Sequence, residues 1–547
     1  MSDRLPFTFV SLNKGGLLET QVLIIGAGAT GTGLARDLAG RGVSCVVVEK
    51  QDVNAGASGG NHGLLHSGAR YIASDPAAAR ECQAENLLLK KLAPHCIEET
   101  GGLFVAVAGD DERYIAEFTP RCRKAGIRAR PVDLKTAREM EPALSKDIIA
   151  VYAVDDATID PFKLSLDNIA SAQQKGARLL RYNKVTSIEV ADGRIRGVSV
   201  RDSLTAKILR IEPQLVVNAA GAWAGMVAQM AGARIEMLYS KGSLLVTQNR
   251  VARQVINRLR PATDGDILVP GGTVSILGTT SERVATPDVI YPEIHEVDLI
   301  IDQGAAMLPS LATTRFIRAY CGVRPLLGHI NGEQDSDDRS VSRGFALIDH
   351  ARAATPIRNF ISITGGKLTT YRLMAEKTAD MVCRHLGVTA VCRTRSEPLP
   401  NTVDARWTEP GLAPNFWLNK DNADDVLLCE CEMVPQSVVE EIVSIIRKQN
   451  GRPGLKAIGL RSRIGKGPCQ GTFCSLRVAA YLYDRRHLDN HQGVEELRAF
   501  LRERWRGQQP LLWDTPLAQA ELLEAMHCGM FGLELGADAP GHQASGE

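Results

Sequence analysis

Four cysteines stand in two tight pairs near the end of the chain: Cys429 and Cys431 flank Glu430, and Cys469 and Cys474 follow after 37 intervening residues. Four soft sulfur donors suit either a tetrahedral zinc ion or a [2Fe–2S] cluster. Zinc sites more often place two or more residues between paired sulfurs, so the tighter C-x-C favours the cluster. Far upstream, NHGLLHSGARY puts His62, His66, Arg70 and Tyr71 within ten positions. Arg324 in CGVRPLLG and Lys367 in ISITGGKLTTYRLMAE add cations at glycine-bounded positions. Together Arg70, Arg324 and Lys367 can neutralise a phosphate or a carboxylate, arginine as a planar fork and lysine as a point charge. Taken singly, each such cation is more often a solvated surface residue. The other cysteines, Cys45, Cys82, Cys96, Cys122, Cys321, Cys383, Cys392 and Cys528, read as buried small hydrophobes.

These groups need a frame. From residue 21 the chain reads QVLIIGAGATGTGLARDLAGRGVSCVVVEK. Residues 22–25 predict a strand, Gly26, Gly28 and Gly31 form G-x-G-x-x-G, and a helix is expected to about residue 41. A second apolar run, 43–48, ends in Glu49, 23 positions after Gly26. Gly26 permits a tight turn, Gly28 lets a pyrophosphate approach the backbone, and Gly31 lets helix and strand pack closely. Free N–H groups at the helix start face the phosphate charge, and Glu49 can accept from a ribose diol. LVVNAAGAWAG at 215–225 predicts a further strand running into small residues, as in flavoproteins of the glutathione-reductase type. No second such motif with its strand and acid serves a separate nicotinamide, so FAD is favoured. The small-residue run AGASGG can lie against a flat ring system. In ISITGGK, a strand passes through Gly365 and Gly366 to Lys367 and a helix start whose N–H groups suit an electron-rich flavin edge.

With 547 residues, 44% apolar and 23% charged, the chain can form several ordinary globular domains. A net charge of +1 excludes a global field that recruits nucleic acid or anionic lipid. The first twenty residues lack an apolar run of signal-peptide length, and no run of about eighteen apolar residues predicts a membrane span. A cytoplasmic protein with reduced thiols is expected. The fold class is α/β: a Rossmann-like FAD-binding domain of glutathione-reductase type with an interleaved, α+β substrate-binding sheet, plus a small helical C-terminal Fe–S-type domain. The expected layout is an extension at 1–19, the oxidoreductase at 20–395, a linker at 396–425, the cysteine domain at 426–482, a helical segment at 483–535 and a disordered tail at 536–547.

In order along the chain, GAGATGTGLARDLAGRG, NHGLLHSGARYIASD, ARECQAENLLLKKLAPHC, VNAAGAW, KGSLLV, GVRPLLG and TGGKLTTYRLMAEKTAD resemble the flavin-linked glycerol-3-phosphate dehydrogenases. The C-terminal cysteines resemble the anaerobic, quinone-linked branch, and their C-x-C resembles the [2Fe–2S] module of bacterioferritin-associated ferredoxin. The resemblance implies FAD-dependent oxidation of sn-glycerol 3-phosphate to dihydroxyacetone phosphate, with electrons passing through an Fe–S centre to a quinone. It implies that Gly26, Gly28, Gly31 and Glu49 bind FAD, with Gly365 and Gly366 beside the flavin, and that Cys429, Cys431, Cys469 and Cys474 hold the cluster. His66, Arg70 and Tyr71 then line the substrate side, while Arg324 and Lys367 face the phosphate or the reacting carbon. His66 is the expected base, because neutral imidazole accepts a proton near pH 7. Implied partners are a membrane-anchoring Fe–S subunit together with a second flavin subunit, which would hold the protein peripherally on the cytoplasmic face of the inner membrane. Two other readings stand beside this one: a flavin dehydrogenase of a 2-hydroxy acid or an amine, and a non-catalytic flavin/Fe–S redox sensor.

Overall fold

A computed structural model describes residues 12–13, 17–203, 205–328, 344–401, 418–419, 422, 424–449, 451–489 and 491–533. The strand Leu17–Ile25 lies parallel to Cys45–Val48 on one side and to Ile208–Asn218 on the other. Val22, Leu23 and Ile24 are fully buried, so this strand reads as continuously apolar because both faces of the sheet are covered. Spatial order in this sheet is Arg178–Leu180, Cys45–Val48, Leu17–Ile25, Ile208–Asn218, Arg194–Asp202 and Asn183–Ala191. Phe360–Gly365 adds in parallel to the far end of Ile208–Asn218, and Phe345–Asp349 pairs antiparallel with it. Helix Ala29–Gly40 packs between Pro161–Gln174 and Tyr371–Leu386. At Gly33 an added Cβ would stand 3.0 Å from the Tyr371 ring, so that packing needs a glycine.

A second sheet runs Glu282–Arg283, Met237–Thr247, Val274–Gly278, Ile267–Gly271, Val255–Arg258, Gly102–Val107, Ile148–Val154 and Arg130–Val132, with Phe316–Leu327 also paired to Met237–Thr247. Its strands come from chain segments that alternate with those of the first sheet. Two interleaved sheets, as expected from sequence, are therefore the observed architecture.

Beyond residue 426 the chain forms a hairpin, Leu427–Cys429 with Val434–Pro435, and helices Gln436–Lys448, Leu455–Arg461, Cys474–Asp484, Gln492–Gln508 and Asp514–Phe531. Val439, Ile442, Ile458, Val478, Leu482 and Phe500 belong to a core of its own. Among the described residues no helix is long and apolar enough to cross a membrane.

Several boundaries differ from expectation. Residues 17–19 belong to the first strand rather than to an extension, and Leu12–Asn13 pairs with it. The start of the expected linker packs on the body: Arg36 Nη2 donates to the carbonyls of Glu397 and Pro398, both at 3.0 Å. Most of 402–421 and the expected tail lie outside the described residues. Cys469 sits in turns, where Gln470 and Gly471 both take positive φ, 49° and 93°, and the helix begins at Cys474. In Gln492–Gln508 the buried stripe carries Leu497, Phe500 and Leu501 but leaves Val494 39% exposed.

Candidate functional site

The carboxyl ends of the first sheet open onto a cavity of about 480 Å³. At one end stand Gly26, Gly28 and Glu49. Gly26 has φ +110°, and an added Cβ would meet the Ala219 carbonyl oxygen at 2.6 Å. A Cβ on Gly31 would fall 2.0 Å from the Gly26 oxygen, so this residue acts by packing behind the turn and does not line the cavity. At Gly28 the nearest neighbour would be Ser58 Oγ, 2.9 Å away, and that hydroxyl accepts from the Ala29 amide at 3.0 Å. Glu49 is held at the strand end: Oε2 accepts from Ala27 N–H and Oε1 from Gln51 N–H, each at 2.9 Å. Burial raises its pKa against the pull of these amides.

The other end gathers the cations. His66 is buried, and its backbone N–H donates to Thr369 Oγ1 at 3.1 Å, which pins the histidine loop to the segment after Lys367. Its Nε2 lies 3.4 Å from the Tyr71 hydroxyl. Lys367 Nζ stands 4.5 Å over the Tyr71 ring, a cation–π contact that orients the ammonium. Arg70 Nη2 donates to Asp266 at 3.2 Å, whereas its Nη1 is buried with no hydrogen-bond partner among the described residues. Burial alone would push the Asp266 carboxyl up, but Arg70 and Arg260 outweigh it and hold the pKa down. Arg324 donates to Ser240 Oγ at 3.2 Å, to the Thr280 carbonyl at 2.8 Å and to Thr279 Oγ1. Gly242 leaves room for that guanidinium, since a Cβ there would lie 2.5 Å from Nη2. Gly365 and Gly366, at φ +81° and +72°, carry the chain past this end of the cavity.

His66, Arg70, Tyr71, Arg324 and Lys367 thus line one cavity with the glycine motif and Glu49. Such a cavity can hold a dinucleotide at one end and an anion at the other. The glycine cradle accepts backbone-close phosphates, and the orphaned Arg70 Nη1 requires an acceptor. Three supports escaped sequence reading. Asp266 braces Arg70, Thr369 braces His66, and buried Asp156 accepts from Ser67 N–H at 2.6 Å and from Asn257 at 3.1 Å. Burial raises the Asp156 pKa. Asp266 and Asp156 lie in no motif, and Thr369 stands in TGGKLTTY without any mark of its role, so only their spatial neighbours reveal them.

The four C-terminal thiols also converge. Cys429 and Cys431 sulfurs are 3.8 Å apart, Cys431 and Cys469 are 3.6 Å apart, and Cys474 interacts with both Cys429 and Cys469. Two sulfurs bound at about 2.3 Å to one tetrahedral ion stand about 3.8 Å apart, which the Cys429–Cys431 and Cys431–Cys469 separations match pairwise. Cys431 is exposed while Cys429 and Cys474 are buried. The neighbouring basic residues turn elsewhere: Arg461 pairs with Asp52 at 3.1 Å and Arg463 with Glu432 at 3.1 Å. Arg461 therefore does not offset charge at the sulfurs, because its helix docks on the loop that follows Glu49.

The profile of the family described as FAD dependent oxidoreductase matches residues 21–423. The chain is 40% identical over 537 residues to a protein of Escherichia coli (strain K12) described as one subunit of the anaerobic glycerol-3-phosphate dehydrogenase, covering 94% of this chain and 97% of that one. It is 39% identical to the protein of the same description in Haemophilus influenzae, over 96% of each chain. Among solved structures, the glycerol-3-phosphate dehydrogenase from Bacillus halodurans complexed with FAD superposes with a TM-score of 0.62 at 22% identity, covering 91% of this chain and 96% of that one.

Proposed function

The chain belongs to the FAD-dependent oxidoreductase family and, within it, to the anaerobic glycerol-3-phosphate dehydrogenases, and from that premise we propose that it oxidises sn-glycerol 3-phosphate to dihydroxyacetone phosphate. The observation that carries the substrate reading is the buried, unpartnered Nη1 of Arg70, in a cavity shared with Arg324 and Lys367. A phosphate supplies an acceptor oxygen for that donor and negative charge to set against the three cations.

Gly26, Gly28 and Glu49 would hold the FAD pyrophosphate and ribose. Bound there, FAD supplies a two-electron acceptor at flavin N5 for the hydride leaving C2. The chain's own residues handle the rest. His66 takes the C2 hydroxyl proton through the ring that Tyr71 abuts, and its loop is held by Thr369 and Asp156. Arg70 grips the phosphate, while Arg324 and Lys367 offset negative charge on the phosphate and on the oxygen that becomes the carbonyl. Tyr71 keeps the Lys367 ammonium turned toward the site.

Cys429, Cys431, Cys469 and Cys474 would hold a [2Fe–2S] cluster, which supplies one-electron acceptance and so an exit toward partner subunits and a quinone. A membrane-anchoring Fe–S subunit, together with a second flavin subunit, would complete that route and keep this chain peripheral on the cytoplasmic face of the inner membrane.

The test is anaerobic mixing of the FAD-bound protein with glycerol 3-phosphate, lactate, 2-hydroxyglutarate and amino acids while the visible flavin absorbance is followed. Bleaching by glycerol 3-phosphate is expected. Bleaching only by a 2-hydroxy acid or an amino acid overturns the substrate, and bleaching by none favours a sensor. Iron and acid-labile sulfide content decides between cluster and zinc.

A further inference from the structure

His62 shares the cavity with His66 but is held in a different way. Its Nδ1 accepts the backbone N–H of Leu64 at 3.2 Å. A neutral imidazole that accepts at one ring nitrogen carries its proton on the other, so Nε2 is the N–H edge. The residue lines the cavity, and its ring meets that of His66 edge-on, with centroids 5.9 Å apart and planes at 72°. The turn beneath it is rigidly built. Asn61 Oδ1 accepts from Gly63 N–H at 2.8 Å, Asn61 Nδ2 donates to the Ser58 carbonyl at 2.7 Å, and the Tyr320 hydroxyl donates to the Asn61 carbonyl at 2.8 Å. Gly63 takes φ +71°, and a Cβ there would press on the Ile159 oxygen at 2.8 Å. Two histidines four positions apart thus present different atoms. The Nε2 of His66 faces the Tyr71 hydroxyl, whereas the Nδ1 of His62 is tied down and its opposite edge is turned away from that tie.

We infer that His62 is a fixed, neutral hydrogen-bond donor of the reaction site, presenting Nε2–H to the C2 oxygen of the substrate while His66 accepts the proton. The assignment rests on the dehydrogenase reading above and divides the labour between the two imidazoles. In the reaction the O–H proton goes to His66, the C2–H electron pair leaves as hydride, and the C–O bond becomes C=O. His62 neither gains nor loses a proton; its N–H bond is aimed where charge gathers on that oxygen. Its surroundings suit a neutral donor. Burial first, and then the charges of Arg324 and Arg70, pull its pKa to about 3, so the ring stays uncharged throughout the neutral range. An imidazolium here would add one more positive charge to a site that already holds Arg70, Arg324 and Lys367, whereas a neutral N–H gives a directional bond without that repulsion. Removing a preorganised donor of this kind typically slows the chemical step about 10²–10³-fold.

Two independent measurements test it. Side-chain ¹⁵N NMR of the FAD-bound protein without substrate, with His62 assigned by its absence in His62→Gln, is expected to show one protonated and one acceptor nitrogen. That pattern should persist from about pH 8 to about pH 5, where an ordinary imidazole titrates. A His62 that titrates in that range overturns the inference. Stopped-flow flavin reduction is then compared for His62→Leu, His62→Gln and wild type, using whichever substrate bleaches the wild-type flavin. The expected result is a loss of about 10²-fold or more at saturating substrate in His62→Leu, with half-saturation changed far less. Much of the rate should return in His62→Gln, whose amide keeps an N–H, and both variants should keep the wild-type pH profile. Wild-type speed in His62→Leu, equal slowness in both variants, or a lost acid limb of the pH profile each sinks the assignment. If glycerol 3-phosphate fails to bleach even the wild type, the substrate reading falls alone, because the NMR arm needs no substrate.

Discussion

Arg461 Nη1 lies 3.1 Å from Asp52 Oδ2 across 409 positions of sequence, and this ion pair ties the cysteine domain to the loop that follows Glu49. Both side chains are almost wholly buried, at 1% and 3% exposure, and Arg181 stands 3.5 Å from the other carboxylate oxygen. Lys456 adds a contact to Gln51 at 3.0 Å. The part of the molecule that carries the glycine motif and the part that carries the four cysteines are thus clamped at the loop next to Glu49.

Replacing Arg461 with Met leaves Asp52 with Arg181 alone. Breaking a buried pair by removing one partner costs about 3–5 kcal/mol, and the remaining arginine should keep the loss toward the lower end of that range. Limited proteolysis is expected to release the C-terminal helices faster, while the flavin spectrum of the body persists. Asp52→Asn combined with Arg461→Met should be less damaging than the sum of the single changes, which a double-mutant cycle reads directly.

The same clamp predicts a pH dependence. Burial alone would raise the Asp52 pKa, but Arg461 and then Arg181 outweigh it and lower it to about 2. A depressed folded-state pKa contributes stability above the unfolded value of about 3.9, and that stability is lost as pH falls from about 4 toward about 2. Melting temperatures of wild type and Asp52→Asn should therefore differ by a constant amount near neutrality and converge below about pH 4. A difference that grows on acidification would contradict the assignment.

His66→Gln should reduce flavin about 10²–10⁴-fold more slowly than wild type, with FAD still bound. The bond to Thr369 comes from the histidine's backbone N–H, so it survives the substitution. Single-turnover bleaching in the wild-type range would remove His66 from the base role.

Arg70→Met deletes the orphaned donor and leaves Asp266 with Arg260. Hydrogen bonds to charged groups contribute about 1.5–3 kcal/mol, so the half-saturating substrate concentration should rise about tenfold to a hundredfold. Competition by inorganic phosphate should weaken in parallel. A variant with lower turnover but unchanged affinity for both would place Arg70 outside the phosphate grip.

Cys431→Ser should strip iron and acid-labile sulfide from the purified protein while substrate still bleaches the flavin, because the cysteine centre lies outside the cavity lining. Cys321→Ser is the control and should leave iron content unchanged. Retained iron in Cys431→Ser would exclude that sulfur as a ligand.

Sequence by itself determined the local devices. The strand, the turn through Gly26, the helix Ala29–Gly40 and the acid at Glu49 are legible because periodicity and glycine dihedrals are encoded within some thirty residues. The grouping of His66, Arg70 and Tyr71 is likewise local, and the cysteine pairs announce themselves by spacing. Tertiary structure alone decided what these devices face. Asp266 reaches Arg70 from 196 positions away, and Thr369 reaches His66 from 303. Arg461 stands eight positions before Cys469 in sequence, yet the docking of its helix gives it to Asp52. The difference between His62 and His66 also waited on the fold, since nothing in NHGLLHSGARY says which ring nitrogen is tied to a backbone amide. The physical reason is the same each time. Short-range sequence sets dihedrals and faces, but which groups meet depends on strand register between distant segments, such as Val216 beside Phe360, which brings the Gly365–Lys367 segment to the cavity.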